Sequence, residues 1–211
     1  MRIEKLCYHP SFCNTYVLGE EGEPCLLIDP GYNGNDVLGR YISKHHGRKI
    51  LGIVLTHGHF DHFFGLQTLK VPEGTPVFLS EEDYPCLTDP KKNASFDLAE
   101  PFSLRKEICP YFLEEGDETS IGVFFFRTIA TPFHTKGSLC LYFEREGALF
   151  SGDTLFKMGI GRDDLPHASP REKERSLRKI FALPSLTVVY PGHGPKTSIG
   201  DEKRNLDGYL F

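Results

Sequence analysis

The chain has 211 residues, with 29 acidic against 24 basic side chains and a formal net charge of −5, a balance that argues against a protein built to hold a phosphate backbone. Its 21 glycines and 15 prolines interrupt the sequence too often for a helical bundle or coiled coil. The length suits one domain, 1–211, with its own core, and no apolar run of about 18 residues is present to span a bilayer.

The N-terminus alternates Arg2, Glu4 and Lys5 with apolar residues, unlike a secretory signal, so it reads as a first strand of a cytoplasmic protein. Residues 2–7, 14–19 and 25–29 carry strand patterns separated by turn signals such as Gly22 to Pro24. Between Asn35 and Gly47, the residues Val37, Leu38, Tyr41 and Ile42 share one helical stripe, and Gly47 supplies the stop. A short apolar strand over 50–55 then ends abruptly in THGHFDH, residues 56–62, which is too rich in histidine for an ordinary loop.

The stretch 85–110 has weak periodicity and is expected to be a loop with a helical turn bordering a site. Strands follow over 122–130, 138–145 and 148–151, the last two joined by a Glu146-Gly147 hairpin turn. Ser169, Pro170 and Glu172 have the spacing of a capping box that opens a helix through Leu177, Ile180 and Phe181. A last strand over 187–190 runs into PGHG (191–194), and a short polar helix begins near Asp201. LLIDPG and IVLTHGH in the first half are echoed by LFSGD and VVYPGHG in the second. The expected fold is therefore α/β: two sheets face to face with helices outside, a four-layer αββα sandwich with its site along one edge. The six cysteines contain no CxxC pair and read as small thiols in a reducing compartment, not as metal ligands.

His57 and His59, two residues apart, point to one side of a tight turn, while Asp61 and His62 belong to the next turn. His134, Asp153 and His193 each sit just past a strand. Together these residues offer five imidazoles and two carboxylates, a set that suits a dinuclear centre and would leave buried charges unpaired without a cation. His9, His45, His46 and His167 read as surface or packing residues.

Through THGHFDH, TPFHTKGS (131–138), SGDTLF (151–156) and PGHG, the sequence resembles the metallo-β-lactamase fold superfamily over nearly its whole length. Its continuation GIGRDDLP (159–166) and the tail TSIGDEKRN are most similar to compact glyoxalase II-like hydrolases. The resemblance implies that His57, His59 and His134 hold one metal, that Asp61, His62 and His193 hold a second, and that Asp153 bridges them. It implies two divalent ions, zinc foremost with iron or manganese as alternatives, and a metal-bridging hydroxide that attacks an acyl thioester such as S-lactoylglutathione. Asp61 would orient that nucleophile and take its proton.

Arg162 stands where such relatives carry a basic residue for the carboxylate of a glutathione conjugate. Two departures weaken the glutathione match: Asp164 replaces their aromatic residue, and too few residues follow His193 for their C-terminal helical domain. Phe133 replaces the glycine usual before the fourth histidine, which either restricts the backbone or walls off the substrate channel. A mononuclear iron persulfide dioxygenase using His57, His134 and Asp153 is the alternative reading, and a metal-bearing scaffold without turnover ranks below it. No GxSxG elbow is present, so Ser138 and Ser151 are read as hydrogen-bonding ligand loops. Lys136 and Tyr142 are read as surface and strand residues. A small-molecule thioester is the expected partner, with neither nucleic acid nor membrane.

Overall fold

The computed structural model describes residues 1–9, 12–47 and 49–210. The first half contains β1 (Ile3–Leu6), β2 (Thr15–Leu18), β3 (Cys25–Ile28), α1 (Val37–His46), β4 (Ile50–Val54), α2 (Phe60–Phe63), β5 (Pro76–Leu79) and β6 (Cys109–Phe112). The second contains β7 (Glu118–Ile121), β8 (Phe124–Ala130), β9 (Leu139–Phe143), β10 (Ala148–Gly152), β11 (Leu155–Phe156), β12 (Gly159–Ile160), α3 (Lys173–Phe181), β13 (Val188–Pro191), β14 (Thr197–Ser198) and α4 (Ile199–Leu210).

Two six-stranded mixed sheets result, ordered β1-β2-β3-β4-β5-β6 and β14-β13-β10-β9-β8-β7. Strands β3 to β6 run parallel to one another, as do β10 and β13, and the remaining pairs are antiparallel. Side chains alternate between faces, so β2 sends Tyr16 and Leu18 inward, where they meet Val54, Phe126, Leu141, Phe143 and Phe150 between the sheets. Its Val17 points outward, onto Leu38 and Ile42 of α1. In β9, Cys140 and Tyr142 likewise face outward, beneath Leu177, Ile180 and Phe181 of α3 and Ile199 of α4. Helix covers the outer face of each sheet, which is why the central strands are apolar on both sides. Each fully buried Phe or Leu of these layers contributes about 1.5–3 kcal/mol, so the layers hold the framework while the loops remain free to carry chemistry.

The early strands, α1 and its Gly47 cap follow the sequence pattern, with Gly47 in the left-handed region at φ 55°. The Glu146-Gly147 turn also forms, between antiparallel β9 and β10. The capping box does not. Ser169 makes no side-chain cap bond, and its backbone N–H, the donor that Glu172 would take in a capping box, is tied to Phe133 O at 2.8 Å; a 3₁₀ turn over Pro170–Glu172 precedes the helix instead. The helical turn expected in 85–110 starts earlier, at Glu81–Leu87, and Cys109 and Pro110 enter β6. Helix α4 begins two residues before Asp201, where Ser198 Oγ accepts the Asp201 N–H at 3.1 Å. No described helix is long and apolar enough to cross a membrane.

Candidate metal centre

All seven predicted ligands follow the carboxyl ends of strands: β4 leads to His57, His59, Asp61 and His62, β8 to His134, β10 to Asp153, and β13 to His193. Parallel pairing sets the ends of β3 beside β4 and of β10 beside β13, the edge at which open α/β sheets bind ligands. Asp61 and His62 sit on α2, whose N-cap is His59. Close approach also fixes residue 192: a Cβ there would lie 2.6 Å from His62 Cε1, so only glycine admits the PGHG turn against the cluster.

The structure brings all seven side chains together. The ring of His57 lies 4.8 Å from that of His59, 4.0 Å from that of His62 and 4.9 Å from that of His134. Asp153 sits between the two groups, with Oδ1 3.4 Å from His62 Nε2 and Oδ2 3.4 Å from His134 Nε2 and 3.6 Å from His193 Nε2. Asp61 Oδ2 is 3.1 Å from His193 Nε2 and 3.8 Å from His62 Nε2. Donor atoms group as His57, His59 and His134; as His57, His62 and Asp153; and as Asp61, His62 and His193, each within 4.8 Å.

Orphaned polar atoms test whether these residues fit a cation. The Nε2 atoms of His57, His59, His62 and His134, and Asp153 Oδ1, are buried without a hydrogen-bond partner, an arrangement that costs free energy unless a further group satisfies it. Their neighbours orient them. His62 Nδ1 donates to Asp29 Oδ2 at 2.9 Å and His134 Nδ1 to Arg162 O at 2.7 Å, leaving Nε2 of each ring facing the cluster, as metal-ligating imidazoles do. Asp29, buried and at φ 49°, also accepts from Thr56 N at 2.8 Å and Thr56 Oγ1 at 2.7 Å. The neutral histidines and ionised carboxylates of this set suit a borderline divalent cation.

Electrostatics supports these states for His57, His59 and the two carboxylates, and sets His62 and His193 apart as histidines whose affinity for a proton is raised. Burial, reinforced by neighbouring imidazoles, pushes His57 well below the usual histidine range and His59 down to about 3. Burial opposes ionisation of Asp61 and Asp153, but His62 and the other facing histidines outweigh it and hold both carboxylates below their ordinary range. Burial also opposes charge on His62, yet Asp153, Asp29 and Asp61 hold it well above the ordinary value. A cation entering beside His62 would displace that proton.

Other sequence-predicted positions lie around the cluster. The Arg162 side chain is 61% exposed and forms a bidentate pair with Asp164 at 2.7 and 2.9 Å, while its backbone carbonyl holds His134. Phe133 is buried in the layer beneath α3 and α4, so its side chain walls no open channel. Lys136 is exposed and Tyr142 is a buried strand residue, in line with the reading of each. Ser138 Oγ accepts Thr135 N at 3.0 Å, and Ser151 Oγ donates to Leu155 O at 2.8 Å. Cys13, Cys25, Cys86 and Cys140 are buried, Cys7 is exposed, and no cysteine is paired.

Sequence reasoning missed Asp29, Thr56 and Asp83. Asp29 stood inside the noted LLIDPG echo, and its place directly after an apolar strand was the available signal. Asp83 lies just before the weakly periodic 85–110 stretch and outside every noted motif, and the side chain of its partner His167, read as surface or packing, is only 8% exposed and 3.1 Å from it.

The metallo-β-lactamase superfamily pattern matches residues 9–193. A "Probable metallo-hydrolase" of Bacillus subtilis is 33% identical, the alignment covering 99% of each chain. A hydroxyacylglutathione hydrolase of Haemophilus influenzae is 29% identical over 91% of this chain and 90% of its own. Among solved structures, the BLEG-1 B3 metallo-β-lactamase superposes with a TM-score of 0.86 at 32% identity, covering 96% of this chain and 97% of that one. A protein solved in a di-iron-bound form superposes with a TM-score of 0.80 at 33% identity, over 96% and 98%. With its two-sheet framework, its histidine and aspartate cluster and these matches, the chain belongs to the metallo-β-lactamase superfamily and is a metal-dependent hydrolase by family.

Proposed function

We propose that the chain hydrolyses an acyl thioester, of the S-lactoylglutathione kind, at a dinuclear centre in which His57, His59 and His134 form one subsite, Asp61, His62 and His193 the other, and Asp153 links them. The observation that carries this reading is the set of orphaned buried ligand atoms converging on one point. The similarity to a hydroxyacylglutathione hydrolase supports the substrate class. Zinc is the first expectation, with iron or manganese compatible with the same donors; the relative solved with two irons supports a two-metal count.

Bound divalent ions would supply Lewis acidity toward the thioester carbonyl and a water of lowered pKa. The chain's own groups do the rest. Asp61, ionised and 16% exposed, with Oδ2 3.1 Å from His193 Nε2, is the proposed catalytic base, which would orient the attacking water and accept its proton. Asp29 and Arg162 O hold the His62 and His134 rings in the required tautomers. The Arg162 guanidinium is the proposed contact for the substrate's carboxylate, exchanging Asp164 for it. The alternative oxygenase reading uses a facial set of two histidines and one carboxylate and assigns no role to the Asp61, His62 and His193 group.

The test is turnover of the purified protein against an acyl-glutathione thioester, a β-lactam and a glutathione persulfide, each with and without oxygen. The expected result is thioester hydrolysis at the same rate in both atmospheres. Oxygen uptake with the persulfide, or β-lactam turnover faster than thioester turnover, would overturn the reading.

A further inference from the structure

Asp83, buried behind the turn that carries His57 and His59, accepts four hydrogen bonds from three separate stretches of chain. Its Oδ2 takes Gly58 N at 2.7 Å and Thr135 Oγ1 at 2.6 Å, and its Oδ1 takes Gly137 N at 2.8 Å and His167 Nε2 at 3.1 Å. Gly58 separates His57 from His59, and Thr135 follows His134 directly. His167 belongs to the 161–169 loop, whose Arg162 carbonyl holds His134 Nδ1 at 2.7 Å.

The surrounding chain is shaped to this carboxylate. A Cβ at residue 137 would lie 2.6 Å from Asp83 Oδ1, so glycine is required there. His167 adopts φ 74°, a left-handed conformation that a histidine keeps only under several constraints. Those constraints are present: its Nε2 faces Glu82 O and Asp83 Oδ1, each at 3.1 Å, and its carbonyl accepts Lys136 N at 3.0 Å.

Asp83, Cys86 and His167 also stand close enough to share an ion, but their chemistry points elsewhere. Each Asp83 oxygen already accepts two hydrogen bonds, His167 presents the same nitrogen to Asp83 and Glu82, and burial pushes the Cys86 thiol up, away from thiolate.

We propose that Asp83 is a positioning residue for the His57, His59 and His134 subsite, locking both ligand turns and the 161–169 loop into one arrangement. The inference rests on the ligand assignment proposed for that subsite. Only a carboxylate can accept at all four positions; asparagine would turn its NH₂ toward two donors. Groups that orient metal ligands typically change metal affinity by about 10–100-fold when altered.

The experiment uses an Asp61→Ala background, in which only the first subsite is complete, and titrates the metal-free protein with zinc against a chromophoric chelator. Adding Asp83→Asn is expected to weaken zinc binding by about 10–100-fold. His167→Leu, which removes one of the four bonds, is expected to weaken it several-fold and carries the test if the asparagine variant does not fold. Unchanged zinc affinity with a lowered melting temperature would make Asp83 a fold stabiliser only and overturn the proposal. A third zinc per wild-type chain that vanishes in Cys86→Ala would overturn it in favour of a separate metal site. If Asp61→Ala alone binds no zinc, the ligand assignment fails, and the inference with it.

Discussion

The two subsites proposed for the metal centre differ in their exposure and in what holds them. His57, His59 and His134 are buried imidazoles on turns tied together through Asp83, with no carboxylate belonging to that group alone. Asp61, His62 and His193 form the open side: His193 is 36% exposed and Asp61 16%, and the buried His62 depends on Asp29. A buried subsite of neutral donors favours retention of a cation, whereas an open one with a carboxylate leaves room for water and substrate. The closed half is therefore assigned to holding and the open half to chemistry.

Breaking the open half should have the largest effect. Asp61→Ala is expected to lower thioester turnover on the order of 10²–10⁴-fold and to remove one metal per chain, with an unchanged circular dichroism spectrum. Near-normal turnover would place the chemistry in the closed half. Asp29→Asn, which removes the acceptor for His62 Nδ1, should weaken the second metal by about 10–100-fold and the first, reached only through Thr56 beside His57, by less, as read by stepwise zinc titration. Equal weakening of both metals would merge the two subsites into one mechanical unit.

Smaller effects sharpen the contrast. Arg162→Ala should raise KM for an anionic thioester by about 10-fold with little change in kcat, since its proposed contact lies away from the reacting carbonyl. An unchanged KM would leave only the backbone of Arg162 in the site. The smallest effect is on stability. Burial opposes the charge on Asp83, but hydrogen bonds from His167, Thr135 and Gly58 N hold its pKa below the ordinary value. A depressed folded pKa stabilises above the unfolded value and stops stabilising as pH falls through the folded one. In metal-free protein, the stability gap between wild type and Asp83→Asn should thus be about 1–3 kcal/mol above pH about 4 and shrink at lower pH. A gap that widens on acidification, followed by urea unfolding, would reverse the assigned sign.

Much of this was legible because the chemistry is local in sequence. THGHFDH gathers four of the predicted ligands within six residues, and the other three follow apolar strands that periodicity reveals. Short elements escaped: PVFL of β5 opens with proline and CPYF of β6 contains one, so neither has the length or composition that marks a strand. The spacing of Ser169 and Glu172 was that of a capping box, but a tertiary bond to Phe133 decided the backbone there. Asp83 and His167 are 84 residues apart, and no local pattern connects residues that meet only in the fold.

The central claim is that one chain holds two metal ions and needs both. The direct measurement is metal content per chain by atomic emission, followed by stepwise chelation with thioester hydrolysis read at each step. The account predicts two ions per chain and turnover lost with the first ion removed, from the open half. One ion per chain at full activity, or turnover that survives removal of that first ion, would contradict it.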